Sequence, residues 1–173
     1  TNENSYYVNR LFKFKNKTKE DDRIIMDRKR HQLYCKEKQT INDNIGLIKS
    51  YLEQHFSVLI IVNNVKTAQK LLNEIDFDGS VQLLHSGFNI EDRTKIEQAI
   101  TNKDISKRPQ LLIATQAVEV SLDIDYDIAF IDSAPIDALI QRFGRVNRAG
   151  KKQNAPINIS VSLSNNTVPV YLV

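Results

Sequence analysis

The sequence predicts an α/β domain: a mostly parallel sheet with helices on both faces. Three short, wholly apolar runs carry that expectation, VLIIV at 58–62, LLIA at 111–114 and IAFI at 128–131, which read as strands buried on both sides. The stretches between them repeat apolar residues at helical spacing. Strands that alternate with helices imply parallel pairing through right-handed crossovers. In such a sheet, functional groups belong in the turns after the strand C-termini, here beginning at Asn63, His85, Thr115 and Asp132.

Element by element, the first 38 residues are the least determined. YYVNRLFKF and RIIMDRKRHQLY read equally as strands or as a linker, so residues 1–40 are assigned as an N-terminal linker or extra strands, and 41–173 as the domain proper. Ile41, Ile45, Ile48, Leu52 and Phe56 then fall on one helical face behind a Thr40 N-cap, and Val65, Ala68, Leu71, Leu72 and Ile75 form a second stripe. VQLL at 81–84 is a weaker strand. A third helix opens at Asn89 and carries Ile90, Ile96 and Ile100, and Pro135 opens a fourth that runs to about Phe143. INISVSL and VPVYLV close the chain as one or two strands.

Composition narrows the function classes. With 173 residues the chain buries roughly 70% of its unfolded surface and needs no covalent staple. One cysteine and three scattered histidines exclude a disulfide scaffold and a multi-ligand zinc site; His31 and Cys35 stand four apart with no third ligand. No apolar run is long enough to span a bilayer and no signal peptide is legible, so a cytoplasmic protein without membrane contact is expected. The start at Thr1 suggests a fragment or a processed chain. The net charge of +3 is a cancellation between blocks: residues 10–38 hold eleven Lys/Arg against five Asp/Glu, 142–152 hold five bases and no acid, and 116–137 hold six acids and no base. Solvated faces explain such blocks more often than sites do, and charge alone raises only the suspicion of a polyanionic ligand.

The most specific segment is APIDALIQRFGRVNR, 134–148. Gln141, Arg145 and Arg148 are spaced four and three apart, which on a continuous helix puts them on one face with Arg142 on the flank. Converging guanidinium groups recognise phosphate, and Gly144 suits a close backbone approach. TQAVEVSLDID at 115–125 follows a buried strand; the Thr115 hydroxyl suits a nucleic-acid phosphate and Asp123 a ribose hydroxyl. Asp123, Asp125 and Asp127 begin a calcium-loop pattern, but its glycine position is Ile128 and its glutamate position Ala134, so no metal site is assigned. His85 reads as a structural histidine. The chain contains no G-x-x-x-x-G-K-[ST] loop, no Asp-Glu and no His-Asp dipeptide. It has groups that finish phosphoryl transfer and lacks those that start it.

These residues resemble a known family. QRFGRVNR at 141–148 resembles the sixth motif of superfamily 2 helicases, IATQAVEVSLDID at 113–125 the fifth, and LIIVNN at 59–64 with LHSGFNIEDR at 84–93 the fourth and its neighbour. Their order is that of a second RecA-like domain, over about residues 55–150. Within the superfamily the chain is most similar to the CRISPR-associated helicase-nuclease of type I systems; a DEAD-box protein has Arg-Gly in place of Val120-Ser121 and His in place of Gln141. The resemblance implies a motor domain of an ATP-dependent 3′ to 5′ single-stranded DNA helicase used in antiviral DNA degradation. On it, Arg145 and Arg148 reach the γ-phosphate, with Arg148 the arginine finger, and Gln141, Arg142, Gly144 and Asp123 serve the nucleotide. Asn63, Ser86, Thr115 and Gln116 touch DNA phosphates, supported by Arg93. Implied too are ATP and Mg2+ held mainly by a first RecA-like domain and none bound tightly here, with that domain, single-stranded DNA and a CRISPR surveillance complex as partners. The chain alone is expected to be an inactive half-site. Two rival readings stand beside it: a stand-alone nucleic-acid-binding or regulatory module with this fold, and a motor domain of another DExH-type helicase acting on RNA.

Overall fold

The computed structural model of the protein describes residues 30–119, 122–150 and 152–161. The expected segments at 6–14 and 168–173 lie outside those residues. Six strands form one sheet: β1 (His31–Glu37), β2 (Val58–Ile61), β3 (Val81–Leu84), β4 (Leu111–Ala114), β5 (Ile128–Asp132) and β6 (Ala155–Val161). Their order across the sheet is β1-β6-β5-β2-β4-β3, and every pairing is parallel. Among the described residues, four α-helices accompany them: α1 (Ile45–Glu53), α2 (Val65–Glu74), α3 (Ile90–Ile100) and α4 (Ile136–Phe143).

The apolar runs are central strands because their alternate residues feed two cores. Leu59, Ile61, Leu112, Ala114, Ala129 and Ile131 pack with Ile96 and Ile100 of α3 and Leu139 of α4. Val58, Ile60, Leu111, Ile113, Ile128 and Phe130 pack on the other side with Ile48 and Leu52 of α1 and Ala68 and Leu71 of α2. Helices therefore cover both faces, as a doubly buried parallel sheet requires. Side-chain caps set two helix starts: Asn64 Oδ1 accepts from the Thr67 amide and Asn89 Oδ1 from the Asp92 amide, both at 2.8 Å.

Several expectations change. Thr40 caps nothing; its amide and hydroxyl both donate to the Asp43 carboxylate, a 3₁₀ turn fills Asn42–Asn44, and α1 begins only at Ile45. Phe56 lies beyond α1 yet still packs on that core. Ile90 is 87% exposed, and of that expected stripe Ile96 and Ile100 are the buried members. Residues 31–37 form a full parallel strand, β1, at the sheet edge beside β6. Its charged residues are tolerated there since an edge strand exposes its sides.

At the N-terminal end of the sheet, Asp127 ties three segments together. Its carboxylate accepts from the Ser57 amide and hydroxyl, each at 2.9 Å, and from the Lys152 ammonium, which also lies over the Phe56 ring. Burial pushes this carboxyl up, but the bonds from Lys152 and Ser57 outweigh it and hold it below the ordinary aspartate value. Its contribution is therefore complete above the unfolded aspartate pKa and lost as the pH falls through the lower folded value. Asp127→Asn is expected to lower stability by about 1–3 kcal/mol in urea denaturation at neutral pH. The gap to wild type should close on acidification below the ordinary aspartate range.

Candidate functional site

The C-terminal ends of β5, β2, β4 and β3 lie side by side, and the turns that leave them carry most of the sequence-predicted nucleic-acid residues. Asn63, after β2, is the junction. Its amide donates to Asp132 Oδ2 at 3.0 Å, its side-chain nitrogen to the Ser133 carbonyl at 2.8 Å, and its own carbonyl accepts from Gln116 Nε2 at 3.1 Å. Asn63, Thr115 and Gln116 are thus brought together, with Ser86 exposed at the neighbouring end of β3. Thr115 is buried, contrary to a solvent-facing hydroxyl anchor. Arg93 sits on α3, paired with Glu97 at 2.7 Å. His85 is structural: Nδ1 accepts from the Gly87 amide at 3.0 Å and the ring stacks on Phe88. A Cβ at Gly87 would approach that ring to 3.0 Å, so the position leaves little room for a larger residue.

Arg142 does not flank the helix as expected. It is 1% exposed, and its guanidinium is divided among three partners. Nε and Nη2 lie 2.8 Å from Glu119 Oε1, Nη1 donates to the Asp132 carbonyl at 3.0 Å, and Nη2 to Asn63 Oδ1 at 3.1 Å. With those donors engaged inside, it holds the turns after β2, β4 and β5 to one another. Beside it, burial raises the Asp132 carboxyl above its ordinary value, opposed by the Asn63 amide and the Arg142 charge.

Helix α4 ends at Phe143, so Gln141, Arg145 and Arg148 do not share a helical face. Gln141 is exposed on the helix, whereas Arg145 and Arg148 lie in the turn that follows. Gly144 has ordinary helical geometry at φ −62°, and the atom nearest a side chain there would be the Gln141 carbonyl of its own helix at 3.3 Å. No neighbouring segment demands glycine at that point.

The two arginines past the helix behave differently. Arg145 bonds inward to the Leu122 carbonyl and to the Glu119 carbonyl at 2.9 Å, leaving its buried Nε unpartnered. Burial, then the nearby Arg148 charge, lower its pKa, while Asp123 opposes them. Arg148 is half exposed, and among the described residues its guanidinium pairs with Asp123, itself 83% exposed, at 2.8 Å. An ion pair so open to water is worth about 0–1 kcal/mol and releases readily to a stronger anion. Its backbone is better fixed, with the amide on Asp125 Oδ1 at 2.8 Å.

The three aspartates of the calcium-like pattern point to three tasks: Asp123 to the Arg148 side chain, Asp125 to its amide, Asp127 to Ser57 and Lys152. Among the described residues, no three His, Cys, Asp or Glu are placed to hold a metal ion. Sequence reasoning missed Glu119 and Asn147. Glu119 was hidden among solvated acids, though its neighbours Ala117 and Val118 pack on the core. Asn147 is buried in the left-handed region at φ 46°, a conformation that asparagine tolerates.

A wholly parallel sheet with helices on both faces, and arginines gathered past the helix after β5, defines a RecA-like domain of the second-domain type found in superfamily 2 helicases. The chain belongs to the family described as CRISPR-associated nuclease/helicase Cas3, C-terminal, which matches residues 54–151. It is 41% identical over 109 residues to the CRISPR-associated nuclease/helicase Cas3 of Streptococcus thermophilus, covering 59% of this chain and 12% of that protein. It is 34% identical over 108 residues to the same-named protein of Methanothermobacter thermautotrophicus, covering 62% and 13%. The crystal structure of T. fusca Cas3-AMPPNP superposes with a TM-score of 0.62 at 26% identity, over 78% of this chain and 18% of that one. The chain therefore spans less than a fifth of these relatives.

The Arg142 network predicts a specific loss. Removing the guanidinium strands Glu119 in a mostly buried position, so Arg142→Ala is expected to cost about 3–5 kcal/mol in urea denaturation. Arg142→Lys should recover little, since an ammonium lacks the planar fork that serves three partners.

Proposed function

We propose that this chain is the second motor domain of an ATP-dependent 3′ to 5′ helicase acting on single-stranded DNA, within a CRISPR-associated helicase-nuclease. The observation that carries the reading is Arg148: a half-exposed guanidinium on an anchored backbone, paired among the described residues with an exposed carboxylate. Such a group is poised for a phosphate presented from outside the chain. In this reading a first RecA-like domain of the same protein holds ATP and Mg2+, and a CRISPR surveillance complex directs the motor to DNA.

The donor set fits a nucleotide that another domain binds: this chain offers the Arg148 guanidinium to a polyphosphate, while its nearby carboxylates are committed to Arg148, Ser57 and Lys152. Bound ATP with Mg2+ supplies the phosphoanhydride whose cleavage drives the cycle. On closure, Arg148 exchanges Asp123 for the γ-phosphate, and Asp123 is freed toward the ribose side. Arg145 stays on the Glu119 and Leu122 carbonyls and keeps the segment after β4 against the finger turn. Asn63, Gln116 and Ser86 meet the DNA backbone at the strand ends. Asn63 also touches Arg142, so the nucleic-acid end of the sheet and the arginine-bearing helix share a hydrogen bond.

An arginine finger is worth about 10³–10⁵ in rate, provided the other domain holds its side of the reaction. In the full-length protein, Arg148→Ala is expected to lower DNA-stimulated ATP hydrolysis about 10³-fold or more, with single-strand affinity retained; activity within tenfold of wild type would refute the assignment. The isolated chain should hydrolyse no ATP in response to DNA. Its single-strand binding should weaken with salt at a log–log slope of about −1.4 to −2, the signature of two or three phosphate contacts, and a salt-independent affinity would count against backbone recognition.

A further inference from the structure

The turn from Gly144 to Gly150 presents three successive backbone carbonyls, and each accepts a hydrogen bond from the start of β1. His31 Nε2 donates to the Val146 carbonyl at 2.6 Å, and Arg30 Nη2 donates to those of Asn147, at 3.0 Å, and Arg148. The attachment is reciprocal, because the Arg30 carbonyl accepts from Asn147 Nδ2 at 3.0 Å and from the Ala155 amide at 3.0 Å. Asn147 is buried, and its side-chain amide also bonds the carbonyl and amide of Lys152. Arg148 is thus gripped on both sides of its α-carbon, by Asp125 at its amide and by Arg30 at its carbonyl.

We propose that Arg30 is a positioning residue for the arginine finger, fixing the backbone of Arg148 from 118 positions away in the sequence. The inference rests on the reading of Arg148 given above. Its physical basis is a contrast in exposure. The contact between the Arg148 side chain and Asp123 is open to water and weak, so where the guanidinium can reach is decided by where its backbone is held. Arg30 supplies a charge-assisted donor to two neighbouring carbonyls at once, and the asparagine between them is fixed in turn by the Arg30 backbone. A displacement of about 1 Å in a catalytic group costs up to about 10²-fold in rate.

The test uses the full-length protein that contains this chain, with Arg30→Ala, Arg30→Lys, Arg148→Ala and the double alanine variant assayed for DNA-stimulated ATP hydrolysis. Leu52→Ala, which opens the core on the sheet face away from Val146, serves as a control for lost stability. Arg30→Ala is expected to lower kcat about 10- to 100-fold with KM for ATP within about threefold, and Arg30→Lys to recover most of it, since one ammonium can serve both carbonyls. The double variant should be no slower than Arg148→Ala alone, because a misplaced finger and an absent one are the same defect. A kcat for Arg30→Ala no lower than that of Leu52→Ala overturns the proposal, as do losses that multiply in the double variant. If Arg148→Ala itself leaves kcat intact, the finger reading has failed first and the positioning role falls with it, a result distinct from failure of Arg30 alone.

Discussion

A single buried cation holds the working end of this domain together. Arg142 reaches from α4 to Glu119 in the turn after β4, to the Asp132 carbonyl at the end of β5 and to Asn63 after β2. Taking a guanidinium out of water costs several kcal/mol, and only a complete set of partners offsets it. That requirement constrains everything around it. Glu119 must face inward, Asn63 must turn its oxygen toward the helix, and α4 must lie directly behind the strand ends. The three segments most similar to helicase motifs are thereby locked in one geometry, and a shift in one is felt by the others.

The arginines past Gln141 divide their work by exposure. Arg142 is fully enclosed and holds the frame. Arg145 is half-buried and fastens the segment after β4 to the turn beyond α4 through two carbonyls. Arg148, most exposed of the three, keeps only a solvent-weakened partner. The sequence spacing that suggested one phosphate-facing helical side with Arg142 on its flank instead encodes a gradient from structural to available. The backbone beneath Arg148 is anchored more firmly than its side chain, an arrangement suited to a group that must move a guanidinium without moving its loop.

The fold was legible in the sequence because parallel strands buried on both faces must be continuously apolar, and VLIIV, LLIA and IAFI are. The helix start at Asn89 was legible at the level of residue type, whereas the cap at Asn64 was not read from the sequence. β1 was not, since an edge strand needs no apolar pattern and HQLYCKE has none. Ile90 misled because helical spacing cannot tell which turn of a helix meets the core. At the site, the arginine segment announced itself by composition, but the end of α4 at Phe143 determined where each arginine points. Arg30 and Asn147 were invisible for a different reason: their partnership spans the whole domain, and no local pattern records a hydrogen bond 117 residues long.

The proposed finger role of Arg148 is decided by where its guanidinium goes when the proposed motor closes. The most direct measurement is a structure of the full-length protein with single-stranded DNA and ADP plus a metal fluoride that mimics the transferring phosphoryl group. Arg148 is expected to have left Asp123 and to lie within hydrogen-bonding distance of the fluoride, about 2.7–3.2 Å, while Arg142 remains on Glu119 and Asn63. An Arg148 still paired with Asp123 in the closed state, with another side chain on the fluoride, would contradict it.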